Sequence, residues 1–159
     1  MKTFLSRTLV CSILMIMSIV GCESKNDHIE YIIDKFAENT YYTAEIFSKP
    51  YQGIYGLWKL DQISGGIHGG GHDPNFEFLK VKRFGIYGFI DNDSLLEYGR
   101  IVIGGQTEDP LLITFEPDEH SGTFTYDAEK YVHLYGNDTL LLASPCCDRY
   151  NYHFIREQQ

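Results

Sequence analysis

The chain is poor in cysteine, basic charge and tryptophan, and it has no apolar run long enough to cross a bilayer. Its four cysteines are Cys11, Cys22, Cys146 and Cys147, so a core rather than a disulfide framework must hold the fold. Lys and Arg number 13 against 22 Asp and Glu, a formal charge of -9. Such a surface repels nucleic acid and anionic headgroups, which argues against both as partners. The apolar stretch Leu9 to Val20 has 12 residues, whereas a spanning helix needs about 20. There is no G-x-S-x-G, no H-E-x-x-H and no phosphate-cradling loop. Glu116, Asp118, Glu119 and His120 crowd one stretch beside Pro117, where a solvated loop is the ordinary reading. Neither an enzyme nor a cofactor is expected.

What is present begins at the N-terminus. Lys2 and Arg7 precede the short apolar stretch, and Gly21-Cys22 follow it, the layout of an export signal rather than a fold element. Ile19-Val20-Gly21-Cys22 resembles the lipobox of bacterial lipoproteins. That resemblance implies cleavage before Cys22, acylation of its sulfur and durable anchoring by several acyl chains. Removal of residues 1–21 would leave 138 residues with a formal charge of -11, since Lys2 and Arg7 are lost and no acid is. The implied partner is the lipid bilayer. Glu23 after Cys22 is unlike the aspartate of the enteric inner-membrane retention signal, so the outer membrane of the cell envelope is the expected location.

The rest divides into a lipidated tether with a short helix, residues 22–50, and one domain, residues 51–159. Glu23 to Asp27 reads as a polar tether. Ile29, Ile32, Ile33 and Phe36 fall at helical spacing, and Asp27 with Glu30 resembles a capping box, predicting an amphipathic helix over about His28 to Glu38. From Pro50 onward the pattern is β. Eight strands are expected: Ile54 to Ile63, Phe76 to Lys82, Gly85 to Asp91, Leu95 to Ile103, Leu111 to Glu116, Lys130 to Tyr135, Thr139 to Ala143 and Tyr150 to Arg156. Asp91-Asn92-Asp93 and Gly136-Asn137-Asp138 read as hairpin turns. Short successive strands favour an all-β, up-and-down antiparallel barrel whose closure removes the edges, with a β-sandwich as the alternative. Gly-Ile-Tyr-Gly occurs at Gly53 to Gly56 and again at Gly85 to Gly88, read as small residues where two strands coil sharply.

Gly56-Leu57-Trp58 opens the first strand and Phe154-Ile155-Arg156 ends the last, a pattern similar to that of the lipocalins. The span from about Gly53 to Glu157 also resembles the short lipocalin-like domains of many Bacteroidetes lipoproteins. The resemblance implies an arginine, here Arg156, covering the G-x-W tryptophan, here Trp58, near the closed end of the barrel. A guanidinium over an indole contributes about 0.5–2 kcal/mol. The chain departs from the family in lacking a threonine-aspartate-tyrosine element in its middle.

Other candidates carry less. His68, His72 and Asp73 lie in the glycine-dense stretch Gly65 to Asn75, which in a lipocalin-like barrel lies over the mouth. These residue types suit zinc or copper. The glycines oppose the helical spacing that would aim both histidines at one ion, and a mobile loop without metal is expected. Cys146 and Cys147 are adjacent, with α-carbons about 3.8 Å apart across a trans peptide, shorter than the usual disulfide span. Unbridged or structural cysteines are expected, with a strained, reducible vicinal bond as the alternative. Asp93-Ser94-Leu95 and Asp138-Thr139-Leu140 resemble a Bacteroidetes O-glycosylation motif, though ordinary turn chemistry accounts for them as well.

Two functions follow. An aromatic-lined barrel would bind a small hydrophobic or amphipathic molecule, a side-chain-filled interior counting against it. A solid barrel would instead serve as a non-catalytic accessory to an outer-membrane protein complex, touching its partner through the helix or a Tyr-rich face.

Overall fold

The computed structural model describes residues 25–39, 46–66, 75–104, 109–118, 128–146 and 149–158. A helix α1, Lys25–Asn39, precedes strands β1, Gly56–Gly65, β2, Phe78–Val81, β3, Ile86–Asp91, and β4, Ser94–Ile103. There follow β5, Leu111–Pro117, β6, Glu129–Tyr135, β7, Thr139–Ala143, and β8, Tyr150–Arg156. Each strand pairs antiparallel with the next, and β8 returns to β1, closing an up-and-down barrel of eight strands. This is the barrel read from the sequence, not the sandwich.

Alternation decides what lies inside. Leu111, Ile113 and Phe115 are buried while their neighbours are half-exposed, and Tyr152 and Phe154 do the same on β8. The β3–β4 connection is the two-residue turn Asn92-Asp93, with φ of +46° and +57°. Both central residues are left-handed, the geometry that matches strand twist, and Asn and Asp tolerate it best among non-glycines.

Three readings are corrected. The helix starts at Lys25, so the second half of the expected tether is helical. Glu30 does not close a capping box; its carboxylate bridges Lys80 at 2.9 Å and also meets Lys82. The first strand starts at Gly56 because Tyr51–Ile54 form a 3-10 turn. Glu116 lies in β5, as the expected strand Leu111 to Glu116 has it, and is bonded by Arg100 Nε at 2.7 Å. The two Gly-Ile-Tyr-Gly copies start alike, with Gly53 in that 3-10 turn and Gly85 in a second one, Arg83–Gly85, and then differ: Gly56 opens β1 whereas Gly88 is inside β3.

Gly88 shows why α1 docks where it does. On the outer face of β3, a Cβ at Gly88 would sit 2.9 Å from both Ile33 Cδ1 and Leu95 Cδ1. Ile29, Ile33 and Ile86 form a buried cluster there, with Phe36, Ala37, Ile90 and Leu95 against it. Lys82 also reaches Asp34 at 2.6 Å. Burial raises the Glu30 carboxyl pKa, but Lys82 and Lys80 outweigh it and the net shift is downward. That contribution is therefore present above the ordinary carboxylate range and fades as pH falls through the lowered value. Gly88→Val is expected to cost about 1–3 kcal/mol by overpacking. Hydrogen exchange should show the loss in α1, with the barrel amides still protected.

Candidate functional site

The alternation of ends places the β1–β2, β3–β4, β5–β6 and β7–β8 connections together at one end. At the other end lie the start of β1 and the end of β8, with Trp58 facing Arg156 in register. Phe47 and Ile54 are buried in the barrel's own core cluster and plug this second end. Trp58 is fully buried, and its Nε1 donates to Ile54 O at 2.7 Å.

Arg156 covers that plug. Its Cζ lies 4.2 Å from the Trp58 ring centroid, and Nη1 donates to Tyr55 O at 3.0 Å. Nη2 donates to Gly53 O and Nε to Asn137 O. One guanidinium thus joins the entry segment, the β6–β7 turn and the core indole. Gly56 has φ +144°, and a Cβ there would lie 2.5 Å from Arg156 Nη1. A side chain would therefore strain the backbone and displace the arginine.

Between the ends, the interior is occupied by aromatic and branched side chains. The Phe76 and Phe89 rings lie 4.5 Å apart and Tyr87 and Phe115 4.8 Å apart. Leu79, Ile113, Val132, Leu140 and Leu142 pack among them. These core residues expose 5% or less, while Leu60, Ile63, Leu96, Ile103 and Tyr150, packed against them, are partly buried.

Two charged residue types sit in this interior, and sequence reasoning assigned neither. Tyr87 Oη donates to Glu97 Oε1 at 2.7 Å; desolvation and then Glu97 push the Tyr87 pKa upward. Lys130 exposes 0% of its surface. Its Nζ donates to Tyr150 O at 3.3 Å and lies 5.2 Å from the Tyr152 ring centroid. Burial, with a smaller contribution from Arg149, brings its pKa down to about 7. The signal was the two-residue period, which groups Lys130 with inward Val132. The phenol donates to one oxygen of the buried carboxylate, whose second oxygen, Oε2, is buried without a hydrogen bond, and the amine donates to a backbone carbonyl.

Cys22, His68, His72, Asp73 and Cys147 lie outside the described residues. Cys146 is exposed, and its N–H donates to Ser144 Oγ at 3.4 Å. Among the described residues no group of three His, Cys, Asp or Glu side chains is placed to hold a metal ion. The helix no longer offers its apolar stripe to a partner, because Ile29 and Ile33 are spent on the barrel. Among the described residues the exposed large apolar side chains are instead Tyr31, Phe84, Val102, Tyr135 and Ile155. Phe84 and Val102, with Ile46, line a groove of about 330 Å³ on the outer surface. Phe84 is held there at φ +64°, a conformation that costs a non-glycine residue about 1–2 kcal/mol. Compared with known protein families, with curated proteins and with solved structures, the chain matches none.

Proposed function

We propose that this is an exported lipoprotein of the cell envelope, held in the outer membrane by acyl chains on Cys22. Its barrel acts as a non-catalytic binding module through its outer surface. The observation that carries the second half is the buried cluster of Trp58, Tyr87, Phe89, Phe115 and Phe154 inside the barrel, which supports an interior filled by its own side chains. A barrel whose inside is filled recognises other molecules with its outside. The first half rests on the Ile19-Val20-Gly21-Cys22 sequence and the polar linker that follows it. The cup reading, a pocket for a small hydrophobic or amphipathic molecule, draws its support from the lipocalin-like pattern of Gly56, Trp58 and Arg156.

The test uses the full-length chain in bacteria, with a photo-crosslinking residue in place of Phe84 and, separately, Cys22→Ala. Mass spectrometry should find the mature N-terminus acylated, and Cys22→Ala should abolish that modification. Crosslinks from position 84 should reach an envelope protein. Recovery of monomer alone, or co-purification of a hydrophobic molecule inside the barrel, would overturn the surface-module reading.

A further inference from the structure

β6 outruns its neighbour. Its pairing with β5 ends at Leu111 opposite Val132, whereas its pairing with β7 continues to Tyr135 opposite Thr139. Among the described residues it therefore has a strand on one side only beyond Val132, and the other side opens into a groove of about 370 Å³. Asp109 and the entry segment Pro50 to Gly53 form its far wall. The volume falls within the range of small-molecule sites, about 300–1,000 Å³.

The contents of this groove are specific. His133 and Tyr135 point outward from the same face of β6, their rings nearly parallel at 8° with centroids 6.4 Å apart. Tyr135 is 58% exposed, so its ring, backed by His133, offers aromatic surface to solvent. Tyr51 Oη donates to Asp109 Oδ1 at 2.8 Å while accepting from Leu111 N at 3.1 Å. That holds the exposed carboxylate in one place. The two walls are also joined, because Arg156 donates to Gly53 O on one and to Asn137 O on the other. A groove already fixed this way loses little conformational freedom when it binds.

We propose that this groove binds a saccharide. A pyranose ring has an apolar C–H face and a rim of hydroxyl groups. It needs a flat aromatic surface flanked by fixed acceptors, and Tyr135 with Asp109 supply both. An acyl chain would need continuous apolar walls, which a carboxylate and an open strand edge do not provide. The inference rests on the reading that the barrel binds through its outer surface and names one class of molecule bound there.

Saturation-transfer NMR on the full-length chain in detergent micelles tests it. The probes are the methyl glycosides of glucose, galactose and mannose, with N-acetylglucosamine, at millimolar concentration. Transfer should reach the C–H protons of at least one sugar, strongest on one ring face. Tyr135→Ala and Asp109→Asn should each weaken that sugar's binding about tenfold, roughly 1.4 kcal/mol. Tyr135→Trp should retain it, and Tyr31→Ala, at an exposed tyrosine on α1, should leave it unchanged. Trp58 fluorescence confirms that each variant is folded. No transfer from any probe, undiminished binding by Tyr135→Ala, or preferential binding of choline would overturn the proposal. In those cases position-84 crosslinks to a protein would still stand, separating this failure from that of the surface-module reading.

Discussion

Lys130→Met is expected to stabilise the barrel by about 1–4 kcal/mol at pH 7, the stabilising range found when buried ionic groups give way to well-packed apolar residues of similar volume. The side chain is fully buried, and its amine, with pKa about 7, is half protonated at neutrality. The unfolded chain returns it to about 10.4. Between those values the unfolded state holds a proton that the folded state lacks, so stability rises with pH across that interval. Below about pH 7 the amine is charged in both states and the full penalty applies. Above about pH 10 the trend reverses, because burial, with a smaller contribution from Tyr150, pushes Tyr152 up to about 12, and its phenol ionises first in the unfolded chain. Met removes the rising limb and leaves the falling one. Urea unfolding of wild type and variant at pH 6, 8 and 9.5 checks this. A wild-type stability that is flat from pH 7 to 9.5 would refute the assignment. Met also deletes the donor to Tyr150 O, which is why the gain is smaller than the whole shift would imply.

Arg156→Ala is expected to cost about 3 kcal/mol. It removes donors from Gly53, Tyr55 and Asn137 carbonyls and uncovers Trp58. Hydrogen bonds from a charged donor contribute about 1.5–3 kcal/mol each, and bonds sharing one group do not add. Arg156→Lys should recover less than half, because an ammonium cannot reach three carbonyls and lie flat on an indole at once. Trp58 is the sole tryptophan, so its emission reports on the site directly and should move to longer wavelength in the alanine variant. Equal stability of the lysine variant and wild type would show that charge, not the planar fork, is what matters.

The strands were legible wherever a turn signal stood at both ends. Gly136-Asn137-Asp138 bounded Thr139–Ala143, which came out residue for residue, as did Tyr150–Arg156. The start of β1 was not legible, because Ile54 looks like a strand residue while its backbone completes a 3-10 turn that buries it in the plug. The helix start was missed for the opposite reason: Lys25 and Asn26 show no apolar periodicity, so nothing in the pattern extends the helix to them. Lys130 illustrates the limit for sites. Alternation put it on the inner face, but a lysine is expected outside, and only the three-dimensional packing shows the cation enclosed. The groove beside β6 was beyond reach altogether. Tyr51, Asp109 and Tyr135 are brought together by β5 ending short of β6, and an offset between two strand ends leaves no periodic trace.

The meeting of Trp58 with Arg156 has a consequence in time as well as in space. Residues almost a hundred positions apart form the seam, so the fold has no closed intermediate: until β8 arrives, β1 and β7 each keep an open edge. Such long-range closure is slow, since chain entropy must be surrendered before the contacts return it. On the export route proposed for this chain, that slowness would be useful. The last strand, seven residues long, acts as the latch that closes the barrel on β1.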